Sequence, residues 1–436
     1  MTASLIGLTI AFGLIFFQVP IATALGLVGF GGYVALNGWA PTLSMVANMT
    51  RDSSLVYTLI VLPLFVLMGD LIAGAGISQD LFKAAQALIG RRRGGLAMAT
   101  VLACGAFGAP CGSSVATAAT MAKVTIPPMR AHGYADSLST AAVAAGGTLG
   151  ILLPPSIIMV IYGVATQTHI GMLYAGGMIP GVIATIDYML AVKWSVWRNP
   201  SLAPIRENPE RTSVLDLVRS LWAVVLIFVV VMGGIYGGLF TSVEAAGVGA
   251  AMALALAVSR RSMTWRRIHE ILVDTCKTSA MMLAIVLGAA LFGEFINITG
   301  VHEGLLRLVK DTSLSPFGVV LVIIGIYLLL GSVLESLSMV LLTVPIFFPV
   351  IKELGYDPVW FGVLIVMVVE IGLIHPPIGI NLYVIRSMFP EIPLMSIVLG
   401  VIPFIVSDLF RILLIAAFPI IVTWLPDLLF PTGGGG

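Results

Sequence analysis

Charge is the first thing this sequence lacks. Only 10% of its 436 residues are Asp, Glu, Lys or Arg, too few to solvate the surface of a soluble domain of this length. No nucleic-acid partner is expected of it. Cysteine is scarce too: Cys104, Cys111 and Cys276 show no metal-ligand spacing and read as small apolar residues. No Walker A sequence is present, so ATP does not drive the chain directly. "HEILV" (269–273) and "HEGLL" (302–306) lack the second histidine of a zincin helix, and neither a nucleophile elbow nor a potassium-filter signature occurs. Short alternating segments are absent, which argues against a membrane β-barrel. The first 20 residues have no basic region and no small-residue cleavage site, so they read as a spanning helix rather than a signal peptide.

What is present is apolar residue in long runs: 59% of the chain, with a mean hydropathy of +1.08. "LWAVVLIFVVVMGGIYGGLF" (221–240) is one of several stretches long enough to cross a hydrocarbon core, which takes about 20 helical residues. The chain therefore reads as an all-α polytopic membrane protein. It is also written twice. "PMRAHGY…GILLPPS" (128–156) aligns with "VIKELGY…GLIHPPI" (350–378) at an offset of 222, placing Pro154-Pro155 on Pro376-Pro377. Upstream, at an offset of 224, "GDLIAGAGISQDL" (69–81) matches "GEFINITGVHEGL" (293–305), with Asp70 on Glu294.

Two units follow, 1–197 and 214–430, joined by a polar connector at 198–213, with 431–436 reading as an appended scar. Each unit opens with spans (3–18, 20–37 and 55–75; 217–237, 240–258 and 277–299). Next come two apolar pieces too short to cross, as hairpins at 94–129 and 316–351. A span broken near its middle follows (137–165; 358–386), then a closing span (171–192; 396–425). With the connector 193–219 cytoplasmic, 17 of the 22 Lys and Arg fall inside or beside the cytoplasm, among them Arg91, Arg92, Arg93, Arg260, Arg261, Arg266 and Arg267. Only Arg51, Arg307, Lys310 and Lys352 fall outside, and Arg411 lies mid-span. That assignment turns the halves to face opposite ways. Two inverted-topology repeats with interrupted helices imply a secondary transporter with its site near the midplane.

The hairpins turn at "PCGSS" (110–114) and "GSVLESLS" (331–338), both rich in glycine and hydroxyls. At the breaks, "AGGTLGILLPPS" (145–156) and "EIGLIHPPIGIN" (370–381), proline and glycine are expected to interrupt the helix. Freed carbonyls and hydroxyl oxygens suit a hard monovalent cation such as Na⁺, and half-helix N-termini suit a carboxylate. The competing reading is that Ser, Thr and Gly in membrane helices let helices pack closely. Each intramembrane charge also has two readings. Asp70 and Glu294 are caps or coupling groups, and Glu335 and Glu370 are structural or cation-linked. His375, which stands where the first half has Leu153, is a satisfied buried histidine or a substrate or proton contact. Asp408 and Arg411, three apart on one helix, most simply pair with each other.

These residues resemble the large membrane subunit of TRAP (tripartite ATP-independent periplasmic) transporters. The resemblance rests on "LPLFVLMGDLIAGAGIS" (62–78), "CGSSVATAATMAKVTIPPMRAHGY" (111–134), "GGTLGILLPPSIIMVIYG" (146–163), "AGGMIPG" (175–181) and "GLIHPPIGINLYV" (372–384), and covers nearly all of 1–430. It implies an elevator-type carrier in the bacterial inner membrane, driven by Na⁺. An organic acid is delivered by a periplasmic substrate-binding protein, and a separate small four-helix membrane subunit completes the assembly. It places cation ligands at Ser113, Ser114, Gly147, Thr148 and Gly150, and a second set at Ser332, Ser336, Gly372 and Asn381. Substrate would lie between the tips, near Ser114, Thr117, Pro154, Pro155, Glu335, His375, Pro376 and Pro377. The family commonly has Thr at the position of His375. The alternative function is a stand-alone cation-coupled anion symporter of related architecture; a channel or an intramembrane enzyme is the reading from another class.

Overall fold

The computed structural model describes residues 2–55, 57–90, 92–204, 214–260, 263–311, 314–332 and 334–431. Arg91, Arg261, connector residues 205–213 and tail residues 432–436 lie outside the described residues, as does the side chain of Lys310. Every regular element among the described residues is helical. The first half contains α1 (Thr2–Phe16), α2 (Ile21–Asn37), α3 (Trp39–Leu55), α4 (Val61–Gly74) and α5 (Ile77–Ile89). A helical hairpin follows, α6 (Gly95–Cys111) and α7 (Ser114–Ala131), then the two pieces α8 (Asp136–Leu152) and α9 (Ile157–Thr166), and α10 (Ile170–Arg198). The second half contains α11 (Val214–Tyr236), α12 (Ser242–Ser259), α13 (Trp265–Ile298) and α14 (Val301–Asp311). Its hairpin is α15 (Pro316–Gly331) and α16 (Ser336–Glu353); then come α17 (Pro358–Gly372), α18 (Ile380–Met388), α19 (Leu394–Ala417) and α20 (Ile420–Leu429).

Among the described residues, seven helices or joined helix pairs are long and apolar enough to span a membrane. Burial separates them. The pair Asp136–Thr166 has 83% of its apolar window buried and Ser336–Glu353 has 72%, against 39–50% for the other five. Helices α6, α8, α9, α16 and α17 are thus the protein interior, and the remaining spans present apolar faces outward, where lipid would solvate them.

The breaks are narrower than the sequence suggests. Gly146, Gly147 and Gly150 do not interrupt α8, which stays helical to Leu152; the first break is confined to Leu153–Ser156. Glycine weakens a helix but does not end it, whereas a following proline forces the preceding residue out of the helical region. Likewise Gly372 closes α17, and the second break runs Leu373–Gly379. In both, the bond between the two prolines is cis. The closing span at 396–425 is two helices, because Phe418-Pro419 ends α19 in the same way. Three helices were not anticipated: α3, α5 and α14 are too polar or too amphipathic to register as spans. Helix α13 starts at Trp265 rather than 277, its first turn capped by the Thr264 hydroxyl, which accepts from Arg267 N at 3.3 Å.

The glycines serve packing instead. A methyl group on Gly150 would lie 3.0 Å from Gly108 Cα, and one on Gly372 would lie 2.6 Å from Gly331 O. In each half, then, the hairpin's first helix touches the broken helix glycine on glycine, at positions that correspond to within one residue. Gly147 sits the same way against Ala118, with its added carbon 2.9 Å from the Ala118 Cβ. For these three residues the close-packing reading accounts for the residue type.

Candidate functional site

The first tip is built by Gly112, whose φ of +63° ends α6, followed by Ser113 as N-cap of α7. Ser113 Oγ accepts from Ala116 N at 3.3 Å. Its counterpart 222 residues on, Glu335, caps α16 in the same manner, accepting from Ser338 N at 3.4 Å and from Ser338 Oγ at 3.1 Å. Ser332 donates back to Leu329 O at 2.7 Å. These three side chains are thus held by their own helices. Ser114 and Ser336, also 222 apart, are both buried at the start of the second hairpin helix.

Asn381 is where the structure departs from the expected grouping. Placed by resemblance with the second tip, its side chain instead reaches the first: Nδ2 donates to Ser114 Oγ at 2.8 Å and to Ala144 O at 3.0 Å. Sequence distance along one break says nothing about which tip the folded chain brings alongside, and α18 packs on α7. Asn381 is fully buried, yet its Oδ1 has no hydrogen-bond partner among the described residues. Thr117 Oγ1 faces the contact between Gly108 and Gly150, 3.2 Å from where a Gly150 methyl would be. Pro155 O lies near Gly112, whereas Pro154 joins Pro155 in the first break; in the second, Pro376 is half-buried and Pro377 exposed. His375 is half-buried with Nδ1 buried and unpartnered among the described residues.

Thr148 belongs to a different cluster. Its hydroxyl lies 2.7 Å from Glu370 Oε1, 2.7 Å from Ala145 O and 3.1 Å from the Tyr188 hydroxyl. Arg411 Nη2 bridges Asp408 Oδ1 at 2.7 Å and Glu370 Oε2 at 3.1 Å. Tyr188 donates to Asp408 Oδ2 at 2.9 Å, and its ring lies under the Arg411 guanidinium, 5.2 Å from Cζ to centroid. Thr148, Tyr188, Glu370 and Asp408 are 0% exposed and Arg411 1%. The pairing of Asp408 with Arg411 follows from their spacing; the enrolment of Glu370, Thr148 and Tyr188 does not. One signal for it existed, since Thr148 and Glu370 are 222 apart, the same offset as the repeat.

The acidic pair Asp70 and Glu294 diverge. Asp70 accepts from Thr275 Oγ1 at 3.0 Å, tying α4 to α13. Glu294 lines a cleft of about 730 Å³ between α3, α9, α13 and α16, together with Asn297, Leu341 and Phe348. None of the candidate tip or break residues lines that cleft.

Paired hairpins and broken helices packed inside a shell of apolar spans define a membrane transporter fold. Two solved transporters share it at low sequence identity. Alcanivorax borkumensis YdaH matches with a TM-score of 0.61 and 14% identity, covering 88% of this chain and 89% of that one. Neisseria gonorrhoeae MtrF matches with a TM-score of 0.63 and 15% identity, covering 88% and 85%. Residues 8–421 match the model of the tripartite ATP-independent periplasmic transporter, DctM component, and the chain belongs to that family. It is 34% identical over 401 residues to the C4-dicarboxylate TRAP transporter large permease protein DctM of Pseudomonas aeruginosa, covering 92% of each chain. It is 32% identical over 422 residues to the sialic acid TRAP transporter large permease protein SiaM of Vibrio cholerae, covering 97% of this chain and 98% of that one. The protein is therefore a large permease subunit of a bacterial membrane transporter, not an enzyme.

Proposed function

We propose that this subunit uses a Na⁺ gradient to import an organic acid by an elevator motion. It works in the inner membrane with a periplasmic substrate-binding protein and a separate small four-helix membrane subunit. Relatives are named for C4-dicarboxylates, sialic acid and 2,3-diketo-L-gulonate, all acids, which supports a carboxylate as substrate here. Units 1–197 and 214–430 are inverted repeats with re-entrant hairpins, and the connector 193–219 is cytoplasmic. The matched glycine contacts, Gly108 with Gly150 and Gly331 with Gly372, support that symmetry. Hairpins and broken helices move as one body, and the buried network of Thr148, Tyr188, Glu370, Asp408 and Arg411 carries α10 and α19 with them.

The observation that carries the coupling is the orphaned Asn381 Oδ1. A buried acceptor without a donor implies an unseen partner, and beside the Ser114 hydroxyl the donor set is neutral oxygen, which fits Na⁺. Ser113, Gly147, Thr148 and Gly150 contribute through backbone carbonyls near this tip; Ser332, Ser336 and Gly372 form the second set. Substrate lies between the tips, against Ser114, Thr117, Pro154, Pro155, Glu335, His375, Pro376 and Pro377. The test is uptake into proteoliposomes holding the complete complex and the loaded binding protein. Uptake should require an inward Na⁺ gradient, and Ser114→Ala and Asn381→Ala should raise the Na⁺ concentration for half-maximal rate. Uptake indifferent to Na⁺ in the parent would sink the reading.

A further inference from the structure

We propose that the cavity where α8, α10 and α19 meet at their cytoplasmic ends holds the headgroup of an anionic phospholipid. The cavity, about 440 Å³, is lined by Ser137 and Leu138 at the start of α8, Trp194 and Arg198 at the end of α10, and Leu399 and Pro403 on α19. Gly400, which also lines it, rests on the Ser137 carbonyl with no room for a side chain. The same three helices meet deeper in the protein, at Thr148, Tyr188 and Asp408, about 13–17 Å away along their axes. Helix length sets the depth of the cavity. α10 has 29 residues, about 43 Å, against a hydrocarbon core of about 30 Å. Counted from its outer start at Ile170, the core is crossed by Leu190, and the last turns stand in the headgroup layer. Trp194 and Trp197 lie there, 48% and 78% exposed, as interfacial tryptophans do.

The charge around this cavity is positive. The Arg198 guanidinium lies 5.6 Å from the Trp194 ring centroid and has no carboxylate partner among the described residues. Lys193 has none there either, and Arg93 bonds only carbonyls in the turn after α10, Pro200 O at 3.0 Å and Ala203 O at 3.3 Å. Asp136, beside Ser137, is held by Arg130 at 2.6 Å, and Arg130 also takes Glu391. Three cations without a carboxylate thus stand against one excess carboxylate, and the connector 205–213 adds two Arg and two Glu, no net charge. Ala135 gives α8 no side-chain cap, so the helix start adds its own positive end. A soluble anion would need only this charge; the surfaces leading away from it suit acyl chains. On α10, Val182, Ile186 and Leu190 lead one turn at a time to Trp194, and on α19 Leu399 is followed by Ile402 and Val406. All are 46–61% exposed. α10 and α19 pack on each other and run in opposite directions, so both stripes start at the cavity and head toward the membrane centre. With the connector cytoplasmic, as proposed above, the cavity opens on the leaflet that carries anionic lipid, and basic pockets between spans there bind such headgroups.

The test is thermal unfolding of the complete complex, stripped of lipid in a neutral detergent and titrated with dioleoyl phosphatidylglycerol in mixed micelles. The quantity read is the lipid mole fraction that gives half of the full protection. Phosphatidylglycerol should protect, and dioleoyl phosphatidylcholine, with the same chains and no net charge, should not. Arg198→Gln should raise the half-protecting fraction about fivefold. Trp194→Leu, which removes the ring beneath the guanidinium, should raise it about two- to fivefold. Arg266→Gln removes an equal charge from α13, where the side chain is 91% exposed, and should leave the fraction within about twofold. Soluble glycerophosphoglycerol at millimolar concentration should give no protection, since it lacks the chains. Equal protection by phosphatidylcholine would overturn the proposal, as would an unmoved Arg198→Gln. An Arg266→Gln shift as large as that of Arg198→Gln would mean diffuse surface charge instead of a site, and protection by the soluble headgroup would mean a site for free anions. Both overturn it. The measurement needs neither Na⁺ nor substrate, so its result stands apart from the coupling reading.

Discussion

Thr148 and Glu370 hold the same place in the two halves of the chain, 222 residues apart, and their side chains meet at 2.7 Å. Tyr188 and Arg411, matched at the 223-residue offset of "GMIP" (177–180) and "GVIP" (400–403), stack on the same spot. The first half brings the Thr148 and Tyr188 hydroxyls and Asp187, whose Oδ2 lies 3.9 Å from Arg411; the second half brings Glu370, Asp408 and Arg411.

Thr148→Val should destabilise the protein by about 1–3 kcal/mol, because it leaves Glu370 Oε1 buried without its hydroxyl partner. Thr148→Ser keeps the hydroxyl and should lie close to the parent. Thermal unfolding in detergent compares the two, and equal losses would show that volume rather than the hydrogen bond matters.

Burial should decide what an arginine contributes. Arg411→Gln removes the only cation from a sealed cluster and should destabilise by about 3–5 kcal/mol. Arg130 also bridges two carboxylates, Asp136 at 2.6 Å and Glu391 at 2.5 Å, but all three side chains are 30–57% exposed. Arg130→Gln should therefore change stability by about 1 kcal/mol or less. Denaturation of the two variants side by side checks the ranking, which reversed would refute the charge geometry.

Gly372→Ala should be damaging, since the added carbon meets the Gly331 carbonyl at 2.6 Å and backbone cannot step aside as a side chain can. A loss of about 1–3 kcal/mol is expected. Gly325→Ala, on the hairpin helix α15 that carries Gly331 and with nothing within 4 Å, is the control and should be neutral or better. Transport and unfolding measured on both would expose a false contact if Gly372→Ala behaved like the control.

Topology makes its own prediction. A small epitope inserted after residue 45 should be reached by antibody from outside intact spheroplasts, and one after residue 205 only once the membrane is opened. Labelling of both from the same side would contradict the inverted arrangement.

The helix ends at the two proline pairs follow from local chemistry, which the sequence carries directly. Proline removes a donor and expels the residue before it from the helix, and apolar runs of 15–18 residues bounded by glycine or serine mark the hairpin arms whatever surrounds them. The Asp408–Arg411 pair was legible for the same reason, since one helical turn brings the two together. Partner choice across the molecule was not. Asn381 went to the first tip, Thr148 turned to Glu370, and the break glycines stayed helical to let backbones touch. Each of those depends on which helices lie side by side, and helices are placed by the summed packing of their faces, so no residue's neighbours in the chain reveal its neighbours in space.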